Sequence, residues 1–521
     1  MRMSLENIGR RLSRAPMLKA LVPLVAGIVV AGRWSLPLWG AAAGLVVCVA
    51  AGVVWRHRAR ADLFIAAAMF FAGWCAAQMR PAVQAPQGER VMELTVDEVL
   101  TRRDGVTLAE GRIVAFASGR DVERCGAVVR IWADGSLSLR EGERLEALCR
   151  VRPFADNGYG RYMLRQGVAG SVSLDSMRVI RRTETPLRWA RRLHHKAVGR
   201  ISQLGLDTPT QAVVAAMAVG DRSGLTPELR DRYARSGTSH LLAVSGLHVG
   251  FVFIIVNLLL MWMLTLWYGY AVRCLVVVAA IWVYAAVTGF SPSVVRAAVM
   301  FSVFQVSMAL TVRFDSLNSL CLTACIMLLA DARSLTDAGF RLSFLSVAAI
   351  LEWGLPIYRA TTRPEILMAF VPYRSVGHEI RYIALRTVRV AARWVWCGVI
   401  MGAVASVVTA PLVSYLFGTV SLWSVVAGPA SVLLSGITVG AAMVWVLFPL
   451  PLLQPVAAWV TARAATSLEA LVEACAGNDA MIWEGYVPAS AAAWAYVAMA
   501  AFTLWLWSVR DRKRRRRRRR K

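Results

Sequence analysis

Apolar runs of about twenty residues recur along this chain, and few folds accommodate that spacing. Three runs open it, at 18–32, 36–55 and 62–79, and eight more follow near 240–267, 271–290, 293–312, 316–331, 340–357, 394–417, 420–449 and 490–508. A helix of roughly 20 residues crosses a hydrocarbon core of about 30 Å with its backbone groups satisfied internally. Over 521 residues, 57% are hydrophobic and the mean hydropathy is +0.52. The pattern predicts a polytopic α-helical membrane protein.

Charge orients the runs. The formal net charge is +27, and residues 510–521, with eleven basic groups against one acid, carry +10 of it. A polybasic segment directly after an apolar helix acts as a topology anchor attracted to anionic lipid of the cytoplasmic leaflet, although nucleic acid attracts such a run by the same force. Arg10, Arg11, Arg14 and Lys19 precede the apolar stretch Ala20–Ala31 of the first run, which places the amino terminus in the cytoplasm as well. Two further runs follow at once, so the first reads as a retained helix and not as a cleaved signal. Three crossings then put everything after residue 79 outside. The Arg-rich stretch 358–393 returns to the cytoplasm after five more. Eleven crossings would leave the basic tail outside, so the expected total is ten or twelve, with Pro451–Ala476 as the extra crossing or one run re-entering without crossing.

The grammar changes between the third and fourth runs. Val91–Val99 and Ala127–Trp132 alternate apolar with polar residues and are punctuated by Asp104-Gly105, Asp134-Gly135 and Glu141-Gly142, which signals short strands and turns. About 100 such residues suit a small β-barrel of OB type. Placed outside, Cys125 and Cys149 would meet an oxidising compartment and are expected as a disulfide. Residues 187–206 mix Trp189, Leu193, Val198, Ile201 and Leu204 with Arg188, Arg191, Arg192, Lys196 and Arg200, the pattern of a helix lying in the membrane interface. The domain plan is therefore 1–79, a three-helix membrane segment; 80–186, an extracytoplasmic OB-like barrel; 187–236, interfacial helices; 237–509, the main membrane domain; and 510–521, a cytoplasmic basic tail.

Polar residues inside the main membrane domain need a reason, because hydrocarbon offers them no water. Thr238-Ser-His-Leu-Leu-Ala-Val-Ser-Gly-Leu-His-Val-Gly250 stands at the mouth of an apolar run. Thr288-Gly-Phe-Ser-Pro-Ser-Val-Val-Arg296 breaks a run and starts a helix at Ser291-Pro292, with Arg296 one turn inside. Asp337-Ala-Gly-Phe-Arg341 has the same character. Interrupted helices present partially positive N-termini, which suit an anionic polymer, a small anion, a lipid or a sugar alike. Ser245 and His248 could form a nucleophile–base pair three residues apart, but no orienting acid lies between Asp231 and Asp315. His240 and His248 likewise lack a carboxylate, and no CxxC or His/Cys cluster has zinc spacing, so neither a metal nor another cofactor is expected.

Four blocks together resemble the ComEC family of bacterial competence proteins: Ala218–Asp221 running into Ser239–Gly250, then Thr288–Ala298, then Asp337–Phe344, and Ala410-Pro411 through Phe417-Gly418 to Ser421. Upstream, Asn157–Gly167 is similar to the family's segment ahead of its competence domain, so the likeness covers nearly the whole chain. The resemblance implies an inner-membrane channel passing single-stranded DNA into the cytoplasm during natural transformation, a channel and not an enzyme. A DNA receptor, a cytoplasmic motor and a separate nuclease are implied as partners, since the metallo-β-lactamase-like domain of longer members and its histidine-rich motif do not occur here. Ser245, Gly246, His248, Ser291, Arg296 and Arg341 are the expected path residues. On the barrel, Trp132, Tyr159 and Tyr162, with Phe116 and Phe154, are candidates to stack on bases. Segment 80–186 holds 17 Arg against 15 acids, which argues against capture by bulk charge. A membrane transporter or scaffold for another polymer or a lipid is the alternative reading of the same architecture.

Overall fold

The computed structural model of the chain describes residues 15–519 apart from 35–36, 56–60, 80–84, 104–105, 119–120, 135–136, 138, 157–159, 161–162, 165, 183–187, 311–314 and 363–377. The chain forms two compact units: Pro23–Arg192 with Met327–Asp337, and Met1–Val22 with Leu193–Ile326 and Ala338–Lys521.

The first unit joins a helical hairpin to a barrel. Helices α1 (Pro16–Ala31), α2 (Leu38–Val54) and α3 (Ala61–Gln78) follow the three opening runs. Gly27 of α1 lies against the Phe70 carbonyl of α3, and Gly73 of α3 lies against the Leu24 carbonyl of α1. Two glycines thus let two backbones touch.

Seven strands follow: β1 (Glu89–Arg103), β2 (Val106–Ser118), β3 (Asp121–Arg124), β4 (Val128–Asp134), β5 (Glu143–Arg152), β6 (Val168–Leu174) and β7 (Arg178–Arg182). Five of them close on themselves in the order β1-β2-β4-β6-β5-β1, while β3 extends β2 and β7 extends β5. The β4–β6 pairing is parallel; the others are antiparallel. Strict alternation builds the core: along β5, Leu145, Ala147, Cys149 and Val151 point inward, meeting Met92, Leu94, Ile113, Ile131 and Val172. Gly111 is required in β2, because a β-carbon there would strike Thr95 of β1 and Ile131 of β4. Gly142, with φ of 79°, makes the expected turn before β5.

The expected disulfide is not formed: Cys125 and Cys149 are both thiols. The alternation that buries β5 turns Cys149 into the core, where its Sγ lies 3.7 Å from the Ala147 carbonyl oxygen. Burial and, secondarily, the nearby Glu89 charge push that thiol up to about 11, which suppresses the thiolate that disulfide exchange needs.

The second unit is helical: α4 (Arg188–Ile201), α5 (Thr208–Ala218), α6 (Pro227–Arg235), α7 (Gly246–Leu259), α8 (Gly269–Val287), α9 (Pro292–Ala309), α10 (Ser316–Ala330), α11 (Ala338–Ala349), α12 (Leu355–Thr361), α13 (His378–Phe417), α14 (Trp423–Leu447), α15 (Gln454–Ala476) and α16 (Ala489–Arg519). Asp207 and Thr226 cap α5 and α6 with their side chains, and each helix has proline in its first turn. Among the described residues, five helices are long and apolar enough to cross a membrane: Gly269–Val287, Ala338–Thr361, Val390–Phe417, Trp423–Leu447 and Ala489–Trp507. Six shorter apolar helices accompany them. The chain is a membrane protein with a closed five-stranded barrel, and each of the eleven apolar runs coincides with one of these helices. The Arg-rich stretch expected as a loop is helical from His378 onward, because arginine is a good helix former once the chain is not required to turn.

Candidate translocation site

The signature 238–250 changes conformation at Ser245, which is extended (φ −96°, ψ 163°) and caps α7. Its backbone N–H donates to His248 Nδ1 at 3.3 Å. A ring nitrogen that accepts carries no proton, so the neutral imidazole holds its proton on Nε2. His248 is fully buried. Its Nε2, Ser245 Oγ and Ser291 Oγ are buried polar atoms that make no hydrogen bond of good geometry among the described residues; the Met217 backbone offers the imidazole a looser contact, and the His248 backbone N–H offers Ser245 Oγ another in the manner of a capping box. Such atoms cost about 1–3 kcal/mol each where nothing satisfies them, so three at adjoining helix starts call for a functional account. Ser245 Oγ and the imidazole do not bond to one another, so the contact that defines a nucleophile–base pair is not made.

The second element of the site is the break between α8 and α9. Gly289 N–H donates to Ala286 O (3.1 Å) and Phe290 N–H to Ala285 O (2.8 Å), the paired bonds of a Schellman helix stop. Gly289 and Phe290 take φ values of 73° and 52°. The left-handed phenylalanine costs about 1–2 kcal/mol, and its packing on the apolar core offsets that cost. Ser291 then returns to extended geometry and Pro292 starts α9.

Small residues bring the two helix starts together. Ser293 Oγ donates to Val244 O at 2.5 Å, one residue before Ser245. A β-carbon on Gly246 would sit 3.5 Å from Ala297 Cβ, and one on Gly250 3.3 Å from the Phe301 ring. One turn on, Phe253 and Phe301 stack at 4.8 Å, worth about 0.5–1.5 kcal/mol beyond their burial. The block Ala218–Asp221 closes a third side. Tyr284 Oη donates to Ala218 O at 2.9 Å, and Gly220, at φ 83°, has Thr288 O and Val244 Cγ2 within 3.4 Å of the place a β-carbon would occupy. Tyr284 lies outside the motifs, with a phenol in the middle of an apolar run as its one visible trace, and Ser293 stands inside the block Thr288–Arg296, where nothing in the spacing marked it apart from its neighbours.

Ser245, Gly246, His248 and Ser291 therefore meet at one junction. Arg296, 5% exposed, stands one turn into α9. Arg341 is half-buried on α11, which packs against α9. In the barrel unit, Trp132 is exposed on β4, in register with Leu108 of β2 and Ser173 of β6. The next outward residue, Arg130, is ion-paired with Glu110 at 3.5 Å. Phe116 packs on the barrel core beneath the Arg90 guanidinium, 5.3 Å from its ring centroid. Tyr159 and Tyr162 lie outside the described residues.

Known proteins share this region. ComE operon protein 3 of Bacillus subtilis (strain 168) is 31% identical over 195 residues, which is 37% of this chain and 25% of that protein, so the match spans a quarter of the relative's length. No solved structure matches the chain. The family model described as competence protein matches residues 217–509, which contain all four polar blocks and the helices α7, α8 and α9. By that match the chain belongs to the competence protein family, the ComEC proteins.

Proposed function

We propose that this protein forms a conduit in the inner membrane through which one DNA strand enters the cytoplasm during natural transformation. The observation that carries this reading is the meeting of Ser245, His248 and Ser291 at two adjoining helix starts, each with a buried polar atom that makes no hydrogen bond of good geometry among the described residues. Helix N-termini and hydroxyls suit the oxygens of a phosphodiester, and Arg296 and Arg341 supply counter-charge. Gly246 serves by letting α7 and α9 approach. In this reading the barrel is OB-like and extracytoplasmic, and Trp132 offers a base a stacking face.

The test is uptake of end-labelled DNA by a strain lacking its own copy and complemented with variants. His248→Phe with Arg296→Gln should lower uptake tenfold or more, as about 1.4 kcal/mol on the passage barrier would, with the protein still present in the membrane. Unchanged uptake by the double variant would make these residues structural, and normal uptake by the deletion strain would point to another polymer or a lipid as cargo.

A further inference from the structure

The fourth polar block, which ends at Ser421, takes no part in the proposed path and builds a separate joint. Strands β8 (Thr419–Ser421) and β9 (Ile482–Glu484) pair antiparallel, with Val420 opposite Trp483. Backbone around them is closed on itself: Leu422 N–H donates to Met481 O at 2.9 Å and Gly485 N–H to Gly418 O at 2.7 Å. Ser414 Oγ of α13 donates to Gly485 O at 2.7 Å and accepts from Val487 N–H at 3.2 Å. A polar side fastens the joint to α6, where Ser421 Oγ donates to Arg235 O at 2.7 Å and the Arg235 guanidinium pairs with Glu484 and Asp479. The border is apolar and open. Phe417 and Leu422 are exposed there, with Trp483 at 48% and Tyr486 at 75%. Glycine seats both rings: a β-carbon on Gly418, at φ 72°, would strike the Tyr486 ring at 2.6 Å, and one on Gly485 the Trp483 ring at 2.9 Å.

The spans define the level at which these side chains are exposed. Val390–Phe417 ends at the joint, Trp423–Leu447 begins directly after Leu422, and Ala489–Trp507 begins three residues beyond Tyr486. Pairing of β8 with β9 brings the three ends together, so the joint stands where three candidate spans leave the hydrocarbon. That level is the headgroup layer, in which tryptophan and tyrosine gather because each ring has an apolar body and a polar tip. Irregular backbone so close to hydrocarbon must be paired, as it is here. Charge disfavours nucleic acid as the occupant, since the exposed carboxylates of Asp479 and Glu484 beside the rings repel phosphates. We propose that this joint is an interfacial anchor, with Phe417, Leu422, Trp483 and Tyr486 seated among phospholipid headgroups and the first carbons of the acyl chains. A β-carbon on Gly237, at φ 74°, would lie 2.9 Å from Ser424 and 3.2 Å from Ser421 O, so the anchor also fixes the level at which Thr238–Gly250 begins.

Photocrosslinking tests this without cargo, so its outcome does not depend on the conduit reading. p-Benzoylphenylalanine replaces Trp483 or Tyr486 in the full chain, held in nanodiscs of phosphatidylcholine and phosphatidylglycerol; both positions are exposed, so the larger ring fits. The same group at Leu275, 71% exposed on α8, gives the reference for the acyl interior. After irradiation, adducts are located by mass spectrometry of the peptide and of the attached lipid. Trp483 and Tyr486 should yield phospholipid adducts at the glycerol and first acyl carbons, and Leu275 adducts further along the chains. Trp483→Ser with Tyr486→Ser should keep the thermal midpoint in detergent and lose part of the rise that transfer to nanodiscs gives the unaltered chain. Adducts distributed as at Leu275, cross-links to a second copy or to an added single-stranded oligonucleotide in place of lipid, or an undiminished rise in the double variant would each overturn the proposal.

Discussion

At the scale of single residues, what a side chain can do here is set by which way its strand or helix turns it. Cys149 follows three inward residues on β5, and its thiol is raised to about 11. At pH 8 only about one such thiol in a thousand is ionised, against roughly a quarter of ordinary ones. In native protein at that pH, maleimide should therefore modify Cys149 at least about a hundredfold more slowly than after denaturation, read by peptide mass spectrometry. Rapid native labelling would mean that the barrel core is open. The inward direction of Cys149 was legible in the alternation of Glu143–Arg152. The disulfide expectation rested on compartment alone, and neither β3 nor the Cys125 N–H bond to Val114 O that places its partner leaves a periodic trace. Ser245, His248 and Ser291 were legible for the opposite reason, as polar residues where apolar ones would be expected. Their shared junction depends on Ser293 and Gly220, whose long-range contacts no local pattern encodes.

Among the elements, helix contacts in this chain depend on glycine more than on shape. Gly27 and Gly73 each face a partner's carbonyl, whereas a β-carbon on Gly52 would meet Phe64 Cβ at 3.6 Å, an ordinary contact. Gly73→Ala must separate α1 from α3 and should cost about 1–3 kcal/mol, lowering the thermal midpoint in detergent, while Gly52→Ala should leave it unchanged. Equal midpoints for the two would show that the crossing has room to spare. Hydropathy placed every apolar helix, because burial in lipid and burial in protein both demand the same side chains. It could not separate α11, the π turn Ile350–Gly354 and α12 within one run, since a single additional residue per turn leaves the composition as it was.

For the whole molecule, charge and length together constrain how the helices cross. Among the described residues eight apolar helices follow the barrel, whereas the proposed external barrel and cytoplasmic tail would require an odd number of crossings. Helix α7, Gly246–Leu259, has 14 residues, about 21 Å at 1.5 Å per residue, short of a core of about 30 Å. It is the natural element to enter and leave by one face, and irregular backbone at such depth is tolerated where it lines a cavity. Impermeant thiol reagents should then reach cysteines placed at Ser239 and Trp267 from the same side, and cysteines placed at Val122 and after Trp507 from opposite sides. Reaction of the first pair from opposite sides would make α7 a full crossing. The change in residue grammar near 187 lies close to the unit boundary at Arg192, whereas the change near 80 falls inside the first unit, and neither the division after Val22 nor the inclusion of Met327–Asp337 leaves a trace in composition.

The way the sheet joins back on itself decides how this domain can be approached. Five of its strands have a neighbour on both sides, but the seam between β5 and β6 is held only at Val151 and Arg152 and β1 meets β5 only over Glu89–Thr95, so among the described residues backbone that another chain could join is broken into short stretches along β1, β5 and β6 and the extensions β3 and β7. No long continuous edge is offered, so recognition on the barrel falls mainly to loops and outward side chains and can be retuned by surface substitution without touching the scaffold beneath.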